Sequence, residues 1–300
     1  AIPFIEYPRP QLKRDSFITL NGEWNFKVLK GDSEVYSNKI VVPFPPESQL
    51  SKVERITKKG ELLVYSRTFN LETLGEKTII NFGAVDNICE VFVNGKEVGK
   101  NVAGYIPFSF DITSAVKLGE NEIIVKVTDS LDNNYPYGKQ KYKRGGMWYT
   151  PISGIWQTVW IENAPENYIK NLKITNTLNS VTIKVDGGEN NKTIVLDGKE
   201  YNFTGDGKTY AFTGDSVEIE IDNAKLWSPE EPNLYDFTII SGSDKVESYF
   251  ALREISIKDN KILLNGKPYF FRGFCEHCYH PITIHPTRDE CYYENVIAHA

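Results

Sequence analysis

The 300-residue chain carries a formal net charge of -6 and a pI near 5.4, which argues against nucleic acid or an anionic membrane as partner and suits a neutral ligand such as a sugar. Four Cys in this length do not make a disulfide framework, and no apolar run reaches the ~18 residues of a membrane span. Aromatic residues at 13%, abundant strand formers and scarce helical periodicity favour an all-β body of one to three domains.

The N-terminal AIPFIEYPRPQ has no basic region followed by an apolar one, so no signal peptide is visible and a cytoplasmic location is slightly favoured. Residues 1–165 read as a first domain. LNGEWNF (Leu20 to Phe26) alternates Trp24 with polar neighbours as a strand does, and VVPFPPESQLS is a proline-rich turn. VYSRTFNL and TIINFG read as strands. In ICEVFVNGKEVGK, Cys89, Val91 and Val93 share one face, and Asn94-Gly95 supplies the two-residue hairpin turn that needs positive φ. YIPFSFDIT and NEIIVKVTD follow. About eight short strands at this spacing predict a sandwich or jelly roll.

The stretch Tyr135 to Glu162, YPYGKQKYKRGGMWYTPISGIWQTVWIE, concentrates large aromatics around three of the five Trp. Its beginning reads as a long ordered loop and its end as a strand, with Thr158 and Trp160 facing one way and Val159 and Ile161 the other. Loops that carry aromatics on a β scaffold are favoured binding surfaces. Trp156 and Trp160 read as core plugs; for Trp148 and Tyr149, beside two glycines and a proline, a surface role and a core role stand level.

Residues 166–255 read as a second β module. VTIKVDG, TIVLDGKEYNF with an Asp197-Gly198 turn, SVEIEID and LYDFTII alternate cleanly, and roughly seven strands in this length fit an immunoglobulin-like sandwich. Trp227 in LWSPEEPNLY reads as structural, and the adjacent Glu230 and Glu231 as turn residues. Residues 256–300 form a third segment, in which Asn265-Gly266 marks a hairpin and PYFFRGF reads as a buried strand. Composition then shifts abruptly: Cys275, Cys278, Cys291 and all four His lie in the last thirty residues. Cys275-x-x-Cys278 with His280, His285 or Cys291 offers zinc-type ligands, but a single CxxC without a second spaced pair is weak evidence. A diverged barrel start or an out-of-frame end would explain the same composition. No H-E-x-x-H or G-x-S-x-G motif is present.

The run WYTPISGIWQTVWIE, together with LNGEWNF, VPFPPES, INFGAVDNICEVFVNGKEVG and GYIPFSFDIT in that order, resembles glycoside hydrolase family 2, the β-galactosidase, β-glucuronidase and β-mannosidase family. The resemblance implies a jelly-roll (galactose-binding-like) domain, an immunoglobulin-like β-sandwich and, from EISIKDNKILLNGKPYFFRGF onward, the first strand of a (β/α)8 barrel that these residues are too few to complete, since such a barrel takes ~250. It also implies a retaining glycosidase for terminal β-linked sugars whose two catalytic glutamates lie in the barrel. The 300 residues alone are then expected to be inactive, with no catalytic residue, no cofactor and no metal. RGFCEHCYHP is similar to the family's RGVNRHEHHP, matching at Arg272, Gly273, His277, His280 and Pro281, while Cys275, Glu276 and Cys278 depart from it. Because a loop of the family's jelly roll reaches the substrate, the resemblance makes Asp132, Lys139, Gln140, Trp148, Tyr149 and His277 the candidate sugar contacts. Trp148 would stack on a pyranose, and Gln140 and Asp132 would hydrogen-bond its hydroxyls. The expected partner is carbohydrate, with a homo-oligomer left open. The alternative is a stand-alone carbohydrate-binding or scaffold protein without catalysis.

Overall fold

The computed structural model describes residues 1–131, 134–143, 145–197, 208–273, 275–286 and 290–299. Two compact units are present, one comprising Ala1–Pro8, Ser16–Asn163 and Phe274–Ala300, the other Arg9–Asp15 and Ala164–Gly273.

The first unit is a jelly-roll sandwich. Its strands are β1 (Ile18–Thr19), β2 (Gly22–Lys30), β3 (Ser33–Val42), β4 (Glu61–Leu71), β5 (Lys77–Phe82), β6 (Val85–Asp86), β7 (Ile88–Val93), β8 (Lys96–Val102), β9 (Phe108–Asp111), β10 (Gly119–Thr128), β11 (Gly154–Ile155) and β12 (Val159–Ala164). Among the described residues one sheet runs β3-β2-β4-β10-β7-β8, a second runs β1-β12-β5-β9, and β11 pairs with β6. The six-stranded sheet follows from the period-2 pattern of its strands: β2 alternates buried Trp24, Phe26 and Val28 with exposed Glu23, Asn25 and Lys27, and β10 alternates Ile123, Val125 and Val127 with more exposed neighbours. These rows close on Phe82, Val159 and Ile161 of the facing sheet to make one core.

β12 departs from simple alternation. Thr158, Val159, Trp160 and Ile161 are all buried, because both faces of this strand are covered. Trp160 donates its indole N–H to Glu162 Oε1 at 2.6 Å, and Tyr7 donates to the same oxygen at 2.6 Å, so the polar edge of the ring is satisfied inside. The hairpin β7–β8 turns at Asn94 (φ 48°) and Gly95 (φ 79°), the conformation that its sequence requires.

The second unit is an immunoglobulin-like sandwich. It comprises β13 (Ile169–Asn176), β14 (Ser180–Gly187), β15 (Asn191–Asp197), β16 (Thr209–Thr213), β17 (Ser216–Glu220), β18 (Tyr235–Ser241), β19 (Asp244–Phe250), β20 (Ile255–Lys258), β21 (Lys261–Leu264) and β22 (Lys267–Pro268). Sheets ordered β13-β14-β17 and β16-β15-β18-β19 close over Ile183, Ile194, Phe237 and Val246. Arg14 and Asp244, both nearly fully buried, pair through two hydrogen bonds of 3.0 and 2.8 Å. Arg14 also donates to Ile169 O, and Ile169 N–H donates to Asp244, so the buried charges are satisfied as well as paired. Trp227 is structural here: it carries the Arg253 guanidinium 4.7 Å above its ring, and Ser228 to Glu231 form a turn. The Asp197-Gly198 turn lies outside the described residues.

The described part of PYFFRGF, Pro268 to Gly273, is not a buried strand. The last strand ends at Pro268, Tyr269 N–H adds one more hydrogen bond to Ile262 O at 2.9 Å, and Phe270 and Phe271 are 82% and 56% exposed. Their apolar character fits a buried strand, but no described part of this unit covers them.

Candidate functional site

The site is built in the first unit by the chain between β10 and β12. Asp129 follows the last residue of β10 and accepts the Leu131 N–H at 3.1 Å, which turns the chain out of the sheet. The loop then doubles back: Tyr149 N–H donates to Lys139 O at 2.7 Å and Trp148 N–H to Gly145 O at 3.2 Å, so the described residues between Lys139 and Trp148 form an arm. At its base Gln140 is buried. Its amide donates to Tyr105 Oη at 2.6 Å and its carbonyl accepts Ile152 N–H at 2.7 Å. Tyr105 in turn hydrogen-bonds Asp86. Gly154 returns the chain at φ 72°, where any Cβ would collide with the hydroxyl of Tyr65. The S-G-I-W run is thus dictated by a close approach.

The segment Cys275–Pro286 packs against this loop. His280 and Ile284 exchange backbone hydrogen bonds of 3.0 and 2.9 Å in a small hairpin, whose Ile284 joins Ala84, Ile152 and Trp156 in a satellite core. Trp156 stacks on His285 with centroids 4.6 Å apart and donates its indole N–H to Gly104 O. Tyr149 Oη lies 2.6 Å from His277 Nδ1, and Thr150 Oγ1 lies 2.6 Å from Tyr279 Oη.

Of the expected contacts, Tyr149 and His277 are therefore brought together, with Tyr149 half-buried and His277 exposed. Lys139 is exposed on the arm. Trp148 is half-buried, and one face of its ring carries the Lys141 ammonium at 3.8 Å. Gln140 sits apart from solvent with both ends of its amide engaged, so its observed work is to hold the arm. Asp132 lies outside the described residues. Among the described residues no group of three or more His, Cys, Asp and Glu is placed to hold a metal ion.

A cluster of carboxyl groups, Asp86, Glu47 and Asp129, lies beside this arm and has no motif in the sequence. Burial pushes Asp86 up to about 8, with the neighbouring charges of Asp129 and Glu47 adding to the shift and the Tyr105 hydrogen bond opposing it. Glu47 is pushed up to about 7, again by burial, despite accepting Ser153 N–H, Ser153 Oγ–H and Thr57 N–H at 2.7–3.2 Å. Asp129 is raised by burial against its backbone hydrogen bonds. Asp86 thus sits beside two like charges that oppose its own ionisation. Asp129 lines a cavity of about 290 Å³ together with Asn87, Glu61, Ser130, Lys59 and Tyr135. Glu61 behaves oppositely: its bidentate pairing with Arg55 (2.6 and 2.8 Å) holds its carboxyl below the usual range. Asn87 Oδ1, buried at the same cavity, has no hydrogen-bond partner among the described residues. A cavity that offers the Asp129 carboxyl, the Arg55-paired Glu61 carboxylate, the Asn87 amide oxygen and a tyrosine can bind a polyhydroxylated molecule through several directed hydrogen bonds. The only advance signal was an acid directly after a strong strand, in KVTDS.

Residues 7–165 match the family described as Glycosyl hydrolases family 2, sugar binding domain, and residues 161–253 match Glycosyl hydrolases family 2. The chain belongs to glycosyl hydrolase family 2. The β-galactosidases of Actinobacillus pleuropneumoniae and Kluyveromyces lactis are 23% and 26% identical to it, each over 90% of this chain but 28% and 29% of their own length. Among solved structures, a Faecalibacterium prausnitzii β-glucuronidase superposes with a TM-score of 0.75 at 20% identity, over 98% of this chain and 55% of that one. A β-galacturonidase of the same family from Eisenbergiella tayi gives 0.72 at 22% identity, over 99% and 53%. The chain thus spans less than a third of these curated relatives and about half of these structures. In this family 2 chain the matched sugar-binding region contains the arm, the acid cluster and the 290 Å³ cavity.

Proposed function

We propose that the chain is the sugar-binding, N-terminal portion of a retaining family 2 glycoside hydrolase of β-galactosidase or β-glucuronidase type, acting on terminal β-linked sugars. In this reading the two catalytic glutamates lie outside these 300 residues, which alone bind sugar without hydrolysing it. The observation that carries the reading is the Tyr149–His277 contact. It joins the aromatic loop of the sugar-binding region to the segment that resembles the family's barrel-start motif. The sugar would rest against Trp148, Tyr149 and His277, with Lys139 and Asp132 as further contacts and Gln140 fixing the arm. Asp129 and Asn87 would receive hydroxyl groups at the neighbouring cavity. The test is turnover of 4-nitrophenyl β-galactoside and β-glucuronide by the chain extended with the sequence that follows it in its gene. Hydrolysis by the extended protein and none by the 300 residues supports the reading. Hydrolysis by neither, with full folding of both, ends it.

A further inference from the structure

We infer that Cys275 and Cys278 are a reversible dithiol–disulfide pair whose oxidation releases His277 from Tyr149. Both thiols are free and exposed, and His277 lies between them in Cys-Glu-His-Cys. Cys89 is the internal contrast: it is fully buried in the sandwich core and burial pushes its thiol up to about 12, so it is inert at neutral pH. Cys278 also lines a cavity of about 440 Å³ with Trp156, His285, Glu6 and Pro286, which gives a small disulfide room to approach its sulfur.

The tetrapeptide is poised between two shapes. In the reduced form described here it is irregular chain, with Cys278 at φ 48° and its N–H held by Glu276 Oε1 at 2.9 Å. A disulfide requires Cα atoms roughly 4.4–6.8 Å apart, which across three bonds of sequence means a closed four-residue turn. Contracting the segment into that turn re-aims the one residue between the cysteines that touches the loop, His277, and the 2.6 Å contact to Tyr149 depends on its present direction. Exposed disulfides of this kind are the readily reduced ones.

The chemistry balances with a low-molecular-weight disulfide such as glutathione disulfide as oxidant. One cysteine thiolate attacks the disulfide, forming a mixed disulfide and expelling one glutathione thiolate. The second cysteine thiolate then displaces the other, so two protein thiols are oxidised, one disulfide is reduced, and the two protons leave with the two glutathione thiols. The effect on sugar binding rests on the proposed function, whereas the pair itself does not.

The test treats the 300-residue protein with glutathione disulfide and then with dithiothreitol. Peptide mapping after alkylation reads the thiols, and the NMR signals of the His277 ring read the contact. The expected result is joint loss of alkylation at Cys275 and Cys278, recovery on reduction, unchanged Cys89, and a shift of the His277 signals. That shift should match the one seen in Tyr149→Phe and be absent in Cys275→Ser. Persistent alkylation of either thiol, pairing with Cys291 instead, or a Cys275–Cys278 link that leaves the His277 signals in place would each overturn the inference. If the link forms and His277 shifts while sugar affinity is unchanged, the redox pair stands and His277 leaves the sugar site.

Discussion

Two hairpins in this protein share one turn and have opposite surroundings. β7–β8 turns at Asn94-Gly95 with φ of 48° and 79°, and β21–β22 turns at Asn265-Gly266 with φ of 52° and 76°. Each asparagine also braces its neighbourhood, Asn94 through Ala115, Asn121 and Glu122, Asn265 through Glu254 and Trp227. Yet β7 points Cys89, Val91 and Val93 into a closed core, whereas around the second turn Ile257 and Ile262 are exposed and Phe270 and Phe271 stand in the open. Turn chemistry is local and travels with the dipeptide. Burial depends on what the rest of the fold lays over the strands.

Asp244→Ala should cost about 3–5 kcal/mol in denaturant unfolding, because it strands the buried Arg14 guanidinium. A loss that large would show that the second unit is well determined even though its last hairpin is bare. Ile123→Ala, opposite Val93 of the first hairpin, should cost roughly 2–5 kcal/mol by opening a cavity in the jelly-roll core.

A pH titration comes next. The unfolded chain ionises Glu47 near 4.5 and Asp86 near 3.8, whereas the folded protein holds those protons to about 7 and about 8. Across that window the native state binds more protons, so stability of the first unit should fall as pH rises and level off above about 8. Glu47→Gln with Asp86→Asn should flatten the profile, read by thermal melts in a buffer series. Gly95→Ala and Gly266→Ala should each cost about 1–2 kcal/mol, since both place a Cβ in left-handed backbone; unequal costs would show that surroundings enter even at the turn. Smallest of all, Ile257→Ala, 79% exposed, should stay within roughly 0.5 kcal/mol of the parent.

These contrasts also explain what the sequence made legible. Strands with strong alternation, such as GEWNFKV and NEIIVKV, and the two Asn-Gly turns were readable because their signals are local. β3 (Ser33–Val42) was not, because most of its residues are exposed and polar and no alternation marks it. PYFFRGF misled for the converse reason: its composition demands a cover, and composition cannot say whether the cover is present. At the site, the aromatic loop is legible from its composition, and the fold sets Tyr149 against His277 across 128 positions. Glu47, Asp86 and Asp129 carry no local signal because a turn, the short strand β6 and the chain just after β10, far apart in sequence, bring them together, and their environment, rather than their identity, shifts their protons. Gln140 bonds to Tyr105 and to the Ile152 N–H in the folded loop, an arrangement that no local pattern encodes.

The most direct test of the account is a titration of the 300-residue protein with methyl β-galactoside and methyl β-glucuronide by saturation-transfer NMR, run beside Trp148→Ala and Asp129→Asn. The account predicts transfer to the sugar ring in the parent protein, loss of most of it without the Trp148 face, and weaker binding without the Asp129 carboxyl. Equal transfer in all three proteins would contradict the placement of the sugar at this loop.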